Sequence, residues 1–241
     1  MRRLSLVAAL ALLAPSLPAR ADGPADVVGN VGLRSVDVPT AELTGLESAL
    51  DRAISMNAGA ARAKTATLSL LDADPEISSK RADARRAMDA SVNDMKTFQL
   101  DAAQTEFDKT VAFWTVAHGP VLDPSDLSRL YLQRAKLAQI RHQPAVMKEE
   151  FERALAVHPT KQLDPAQFSP DAIQLFQQAL EASASTPPQP GSGAVLSDIG
   201  RRTSMHWIVA GDVRRRPAGF AVTLSVADVV AHDGKSENFD L

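Results

Sequence analysis

The chain has 241 residues, with 26 Lys+Arg, 29 Asp+Glu and no Cys. That length allows one or two domains with a substantial core, and 45% apolar with 23% charged residues is an ordinary globular balance. The absence of Cys excludes a disulfide framework, a zinc ribbon, an iron–sulfur site, a thiol nucleophile and a lipid-bearing cysteine, and a net charge of -3 carries no global nucleic-acid footprint.

Residues 1–21 read as a secretory signal. Arg2 and Arg3 supply the positive start, Leu4 to Leu13 the apolar run, and Ala19-Arg20-Ala21 the small-residue cleavage pattern. A bilayer span takes about 20 apolar residues, so this run is short for an anchor. Arg2-Arg3 also suits a twin-arginine signal, but Ser5 stands where that motif takes a large apolar residue, which favours the general export route. Cleavage is expected after Ala21. It removes three Arg and no acid, leaving 23 Lys+Arg against 29 Asp+Glu, a formal charge of −6. The expected location is the periplasm, with no membrane-spanning segment after cleavage and with peripheral membrane contact left open.

Residues 22–39 read as an extended lead-in or a short strand carrying Val31, Leu33, Val36 and Val38. A helical domain is expected over 40–183, from apolar residues at helical spacing and from turn and cap residues. Leu43, Leu46, Leu50 and Ile54 form one face of a first helix after Thr40, and a second helical stretch is expected at about 60–71. Asp74-Pro75-Glu76 opens a third helix that runs to about Lys96, with an N-cap, a first-turn Pro and an acid at the positive helix end. The fourth carries Ala103, Phe107, Thr110, Val111 and Trp114 and stops at His118-Gly119-Pro120. Asp123-Pro124 opens the fifth, with Leu127, Leu130, Tyr131, Ala135 and Ala138 on a face. After Gln143-Pro144 the sixth carries Met147, Phe151, Ala154 and Leu155 and ends before Pro159. Ser169-Pro170-Asp171 starts the seventh, whose expected face is Ile173, Phe176 and Leu180 with Ala172 and Ala179 alongside.

Residues 184–193 form a Pro/Gly/Ser linker. Residues 194–241 read as a small α/β segment. It comprises a helix at 195–204, a strand at 207–213, a turn, a partner strand at 220–230 with Val222, Leu224 and Val226 alternating, and the start of a third strand near Asn238. Such a segment is too small for an independent core without disulfides or metal. The 31–38 strand, a helix of the preceding domain, another subunit or a partner strand is expected to complete its sheet. The expected fold class is mainly α: a helical-hairpin array followed by a small α/β segment with a β-hairpin.

Two stretches share one code. Ala103-x3-Phe107 then Thr110 parallels Met147-x3-Phe151 then Ala154, and Pro159 follows the second copy. This resembles the second helix of a tetratricopeptide repeat, over roughly 82–181. The Phe107 to Phe151 spacing of 44 exceeds the family's period of about 34, and the excess is expected around residues 118–124. The run Leu163-Asp-Pro-x-x-Phe168-Ser-Pro170 followed by Phe176 resembles a segment that closes such arrays in exported bacterial repeat proteins. The C-terminal segment is weakly similar to the small α/β amino-terminal domain of the Tol-system translocation protein and to the curli-export lipoprotein. These resemblances imply a periplasmic adaptor whose helical groove grips a protein segment in a cell-envelope complex. The alternative is a ligand-binding or regulatory subunit of an envelope transport, secretion or motility system acting through the α/β segment.

Catalytic patterns are absent from the sequence. His118, His142, His158, His206 and His232 make no i, i+4 pair, and there is no P-loop, G-x-G-x-x-G or G-x-S-x-G run. Glu149-Glu150 and Asp72/Asp74 read as solvated helix ends. The expectation is a non-enzyme without cofactor or metal, and without a nucleic-acid partner. Arg201-Arg202 and Arg214-Arg215-Arg216 read together as a basic patch for an anionic surface or acidic partner, or as a solvated turn that discourages edge aggregation. Trp114 and Trp207 are either interface anchors or core. The candidate partner-binding residues are Trp114, Tyr131, Trp207, Arg214, Arg215 and Arg216.

Overall fold

The structure is a computed structural model. It describes residues 27–35, 38–57, 62–64, 67–119, 123–158, 161–184, 193–216, 219–231 and 233–240. The expected signal segment, most of the 184–193 linker, Val36 and His232 lie outside the described residues. The protein is mainly α. In chain order the elements are β1 (Val27–Arg34), α1 (Thr40–Asn57), β2 (Arg62–Lys64), α2 (Thr67–Asp72), α3 (Pro75–Lys96), α4 (Leu100–Val116), α5 (Pro124–Ile140), α6 (Pro144–Val157), α7 (Pro170–Ala184), α8 (Gly193–Thr203), β3 (Trp207–Arg216), β4 (Gly219–Asp228) and β5 (Asp233–Asp240). Two units result: an α/β unit from Met1–Leu71 with Pro188–Leu241, and a helical unit from Asp72–Pro187.

The α/β unit is discontinuous in sequence. Its sheet has the order β2-β1-β3-β4-β5. β1 pairs in parallel with both β2 and β3, and β3, β4 and β5 follow as an antiparallel meander. β1 therefore completes the C-terminal sheet. The register slips between Asn30 and Gly32, where Gly32 takes a φ of 95°, a conformation that suits glycine. Asn30 Oδ1 accepts from the Gly32 N–H at 2.8 Å, and its Nδ2 donates to Asp51 at 2.7 Å. Glu47 accepts from the Leu33 N–H at 3.3 Å, so α1 ties the bulge on two sides.

The first helix corrects the expected domain boundary at residue 40. Its apolar stripe is real, but Leu50, Ala53 and Ile54 pack on the sheet against Val28, Leu33, Val209, Val213, Val222 and Leu224. A 3.6-residue period looks the same whether the stripe meets a helix or a sheet. The stretch expected as a second helix is instead the three-residue β2 followed by the short α2. α8 covers the opposite face. A Cβ on its Gly200 would stand 2.2 Å from Val229 Cγ2 and 3.1 Å from Ile208 Cγ1, so this helix reaches the sheet only through a residue without a side chain. His206 joins the strands at their starts: its N–H donates to the Val27 carbonyl at 2.9 Å, and its Nδ1 accepts from the Val27 N–H at 3.0 Å.

In the helical unit, Pro opens α3, α5, α6 and α7, where its missing N–H costs nothing. Asp74 caps α3 by accepting from the N–H groups of Glu76 and Ile77. The α3–α4 and α5–α6 turns are three residues long and identical in bonding. Gln99 N–H donates to Asp94 and Phe98 N–H to Met95; 44 residues on, Gln143 N–H donates to Ala138 and His142 N–H to Gln139. Phe98 and His142 accordingly sit left-handed, at φ 58° and 56°, where glycine is the usual occupant. Phe98→Gly and His142→Gly are each expected to stabilise the unit by about 1 kcal/mol. The check is a thermal melt, with a rise of roughly 4 °C.

Ala103, Phe107 and Thr110 are buried on α4, and Met147, Phe151 and Ala154 on α6, in matching positions. The first core gathers Met88, Ala103, Phe107, Trp114, Leu127 and Leu130; the second gathers Leu132, Ala135, Phe151, Ala154, Phe176 and Ala179. α5 supplies both, with Tyr131 packed against each. The 44-residue spacing arises from helices of 17 residues as well as the 117–123 connection. The α7 stripe is rotated from its expected position. Ala172, Phe176 and Ala179 are buried while Leu180 is 39% exposed, because Phe168 and Phe176 both meet the Phe151 ring.

Candidate functional site

The helical unit carries a polar cluster across three helices. α5 presents Tyr131 and Arg134, one turn apart; α6 presents Glu150 and Arg153; α4 presents Asp108. Glu150 is 1% exposed. Its Oε1 accepts from Arg134 Nε at 3.0 Å and from Arg153 Nη1 at 2.7 Å. Arg134 Nη1 donates to Asp108 at 2.7 Å. Glu150 Oε2 is buried and has no hydrogen-bond partner among the described residues. Burial raises the Tyr131 phenol above its ordinary range, and the Glu150 charge adds to that. This arrangement locks α4, α5 and α6. It aligns no nucleophile with a base.

Glu150 overturns the reading of Glu149-Glu150 as a solvated pair. Glu149 is exposed, but Glu150 falls three residues after Met147 and beside Phe151, inside the apolar stripe. That spacing was the available signal. Of the other pair, Asp74 caps α3, and Asp72 forms an ion pair with Arg81.

Trp114 is 2% exposed, with Arg85 over its ring at 5.8 Å, so it is core rather than a contact residue. Tyr131 and Trp207 are half-buried against their cores. Phe98 has no counterpart in the sequence reading. It is 78% exposed, and nothing in its spacing marks it.

The expected basic patch divides in two. Arg201 and Arg202 both hold Asp198, at 2.7 and 2.9 Å, in the last turn of α8, which leads into the start of β3. Arg214, Arg215 and Arg216 close β3, roughly 30 Å along an extended strand of that length. Arg215 Nη2 donates to both Glu42 oxygens, at 2.9 and 3.0 Å, and its guanidinium lies 5.8 Å from the Phe220 ring centre. Beside them, Arg34 grips Asp212 through two bonds, at 3.0 and 2.8 Å.

His158 follows α6 with Nδ1 buried and without a hydrogen-bond partner among the described residues. Burial lowers its pKa from the ordinary 6.5, and Lys161 lowers it further. The folded chain thus favours neutral imidazole. The contribution to stability is present above the unfolded value and is lost as pH falls through the folded one. An NMR titration is expected to find His158 titrating below the ordinary 6.5, and His158→Gln should flatten the acid limb of stability.

Among the described residues, no three His, Asp or Glu side chains come together as a metal site, and no helix is long and apolar enough to cross a membrane. Compared with protein families, curated proteins and solved structures, the chain gives no match.

Proposed function

We propose that the protein is an exported, periplasmic, non-enzymatic adaptor that holds protein partners of the cell envelope through its helical unit. The supporting observation is Phe98. A large aromatic side chain stands 78% exposed at a hairpin turn, in a backbone conformation at φ 58° that glycine would take without strain. The left-handed backbone is shared with His142 in the matching turn, but an exposed apolar side chain of this size is what an interaction anchor carries. The tetratricopeptide resemblance points the same way, since stacked hairpins present extended binding surfaces.

The test is a photo-crosslinking side chain at position 98 in intact bacteria that make the protein. Control probes stand at the exposed Lys109 and Glu149. The expected result is a discrete adduct with an envelope protein from position 98 alone, on a chain whose first residue is Asp22. Adducts of equal yield from all three positions, or none from 98, would contradict the adaptor reading. A second reading is a ligand-binding or regulatory subunit acting through the α/β unit. The observation that favours it is the concentration of arginines where β1 and β3 end.

A further inference from the structure

The two ends of the sheet differ. β2, at one end, has three residues. β5, at the other, has eight, and among the described residues a strand lies on one side of it only. It pairs with β4 without a break, from Asp228 with Asp233 to Ala221 with Asp240. A strand directs its backbone N–H and C=O groups alternately to its two sides, so half of those of β5 point away from β4. Such a row is a template for another strand, and natural edges are blunted by short length, proline, a bulge or charge. β5 is neither short nor bulged and has no proline. Charge is the remaining device.

That charge is self-complementary. The strand reads Asp233-Gly-Lys235-Ser-Glu237-Asn-Phe-Asp240, with a cation and an anion on either side of Ser236. A two-fold axis perpendicular to the sheet joins two copies of an edge strand antiparallel and keeps the faces of each. Directly opposed residues share a face, and faces alternate along a strand, so the axis passes through a residue and not between two. With the axis at Ser236, position 235 of each copy stands opposite position 237 of the other. Lysine then meets glutamate twice, and residues 233–239 pair throughout without like charges opposed. With the axis at Lys235, lysine would oppose lysine and Asp233 would oppose Glu237; at Glu237, glutamate would oppose glutamate. Like charges directly opposite destabilise a strand pair, and unlike charges favour it. The sequence of β5 thus selects one register with a copy of itself.

We propose that β5 pairs with β5 of a second copy of this chain, antiparallel about Ser236, so that two five-stranded sheets become one continuous sheet. The main-chain bonds supply the attraction, and the two lysine–glutamate pairs fix the register. The inference goes beyond the adaptor reading and does not depend on it: crosslinking at Phe98, present or absent, leaves it untouched.

The experiment uses protein purified from expression of the full-length chain. Ser236→Cys puts one thiol of each copy on the axis, in a chain without native Cys, with the facing Cα atoms about 4.5–5.5 Å apart. Mild oxidation is expected to give a covalent dimer. Ser48→Cys, exposed on α1, is expected to stay monomeric under the same conditions. Light scattering over a dilution series of the unmodified chain is expected to reach twice the mass of one chain. Lys235→Glu opposes like charges twice and should weaken the dimer about tenfold. Lys235→Glu/Glu237→Lys should restore it, which separates a lost pair from a lost fold. The mass of one chain at every concentration up to about 0.1 mM, equal crosslinking from both Cys variants, or no rescue by the double variant overturns the proposal. So does a Ser236→Cys adduct with a different envelope protein in place of the dimer, which would give the edge to a foreign strand.

Discussion

Phe151→Ala is expected to destabilise the helical unit by about 3–5 kcal/mol. The ring is fully buried. It makes edge contacts with Phe168 at 5.7 Å and with Phe176 at 5.3 Å, and aromatic pairs of this kind add about 0.5–1.5 kcal/mol each beyond their burial. One deletion therefore opens a cavity and unseats the only side chains that attach α7 and the 163–168 segment through aromatic contact among the described residues. Urea unfolding followed by far-ultraviolet circular dichroism measures it, because the helical unit dominates that signal. Phe151→Leu fills most of the space and should lose less than half as much. A loss under about 1 kcal/mol for the Ala variant is incompatible with a closed core at this position.

Glu150→Ala comes next, with an expected loss of about 3–5 kcal/mol. The carboxylate is surrounded by two guanidiniums in an otherwise apolar stripe. Removing it leaves Arg134, whose side chain is only 15% exposed, with Asp108 alone. Glu150→Gln keeps the shape but not the charge, and separates the two contributions. The chain's only Tyr gives a clean second readout. Its phenol is raised by burial and then by the Glu150 charge. The folded state thus favours the neutral phenol, and that contribution persists below the unfolded value and is lost as pH rises through the folded one. Glu150→Gln should shift the phenolate absorbance transition toward lower pH. An unchanged transition would mean that burial alone acts on Tyr131.

Local chemistry made much of the helical unit legible. Asp74-Pro75, Asp123-Pro124 and Gln143-Pro144 announce their helices because proline and the cap residues act within one turn. The paired Ala103–Phe107 and Met147–Phe151 codes mark positions that do prove buried. What stayed hidden depends on contacts distant in sequence. Nothing local tells Val27–Arg34 that its neighbour is Trp207–Arg216, so the strand near 31–38 could be named only as one of several ways to complete the sheet, and β2 was not foreseen. The stripe of α1 was visible, but not the sheet that it covers. The 3.6 period also left α7 free to turn by one residue, and Phe168 and Phe176 decided its setting. Site residues divide the same way. Arg214–Arg216 stand out in sequence, yet their company, Arg34, arrives from the other end of the chain. Glu150 was hidden by its charge, and Phe98 by a turn conformation that composition does not encode.

The union of the two chain ends in one sheet underlies both the α/β unit and its basic edge. The absence of native Cys makes it directly measurable. Arg34→Cys/Asp212→Cys places two thiols on registered neighbours, about 5 Å apart at Cα, within disulfide reach. Mild oxidation of this variant should give an internal disulfide that closes a loop across 178 positions, seen as faster migration on a non-reducing gel. Arg34→Cys/Arg201→Cys, with thiols toward opposite ends of β3, should stay reduced. If the first pair crosslinks no better than the second, β1 does not lie beside β3, and the discontinuous unit is wrong.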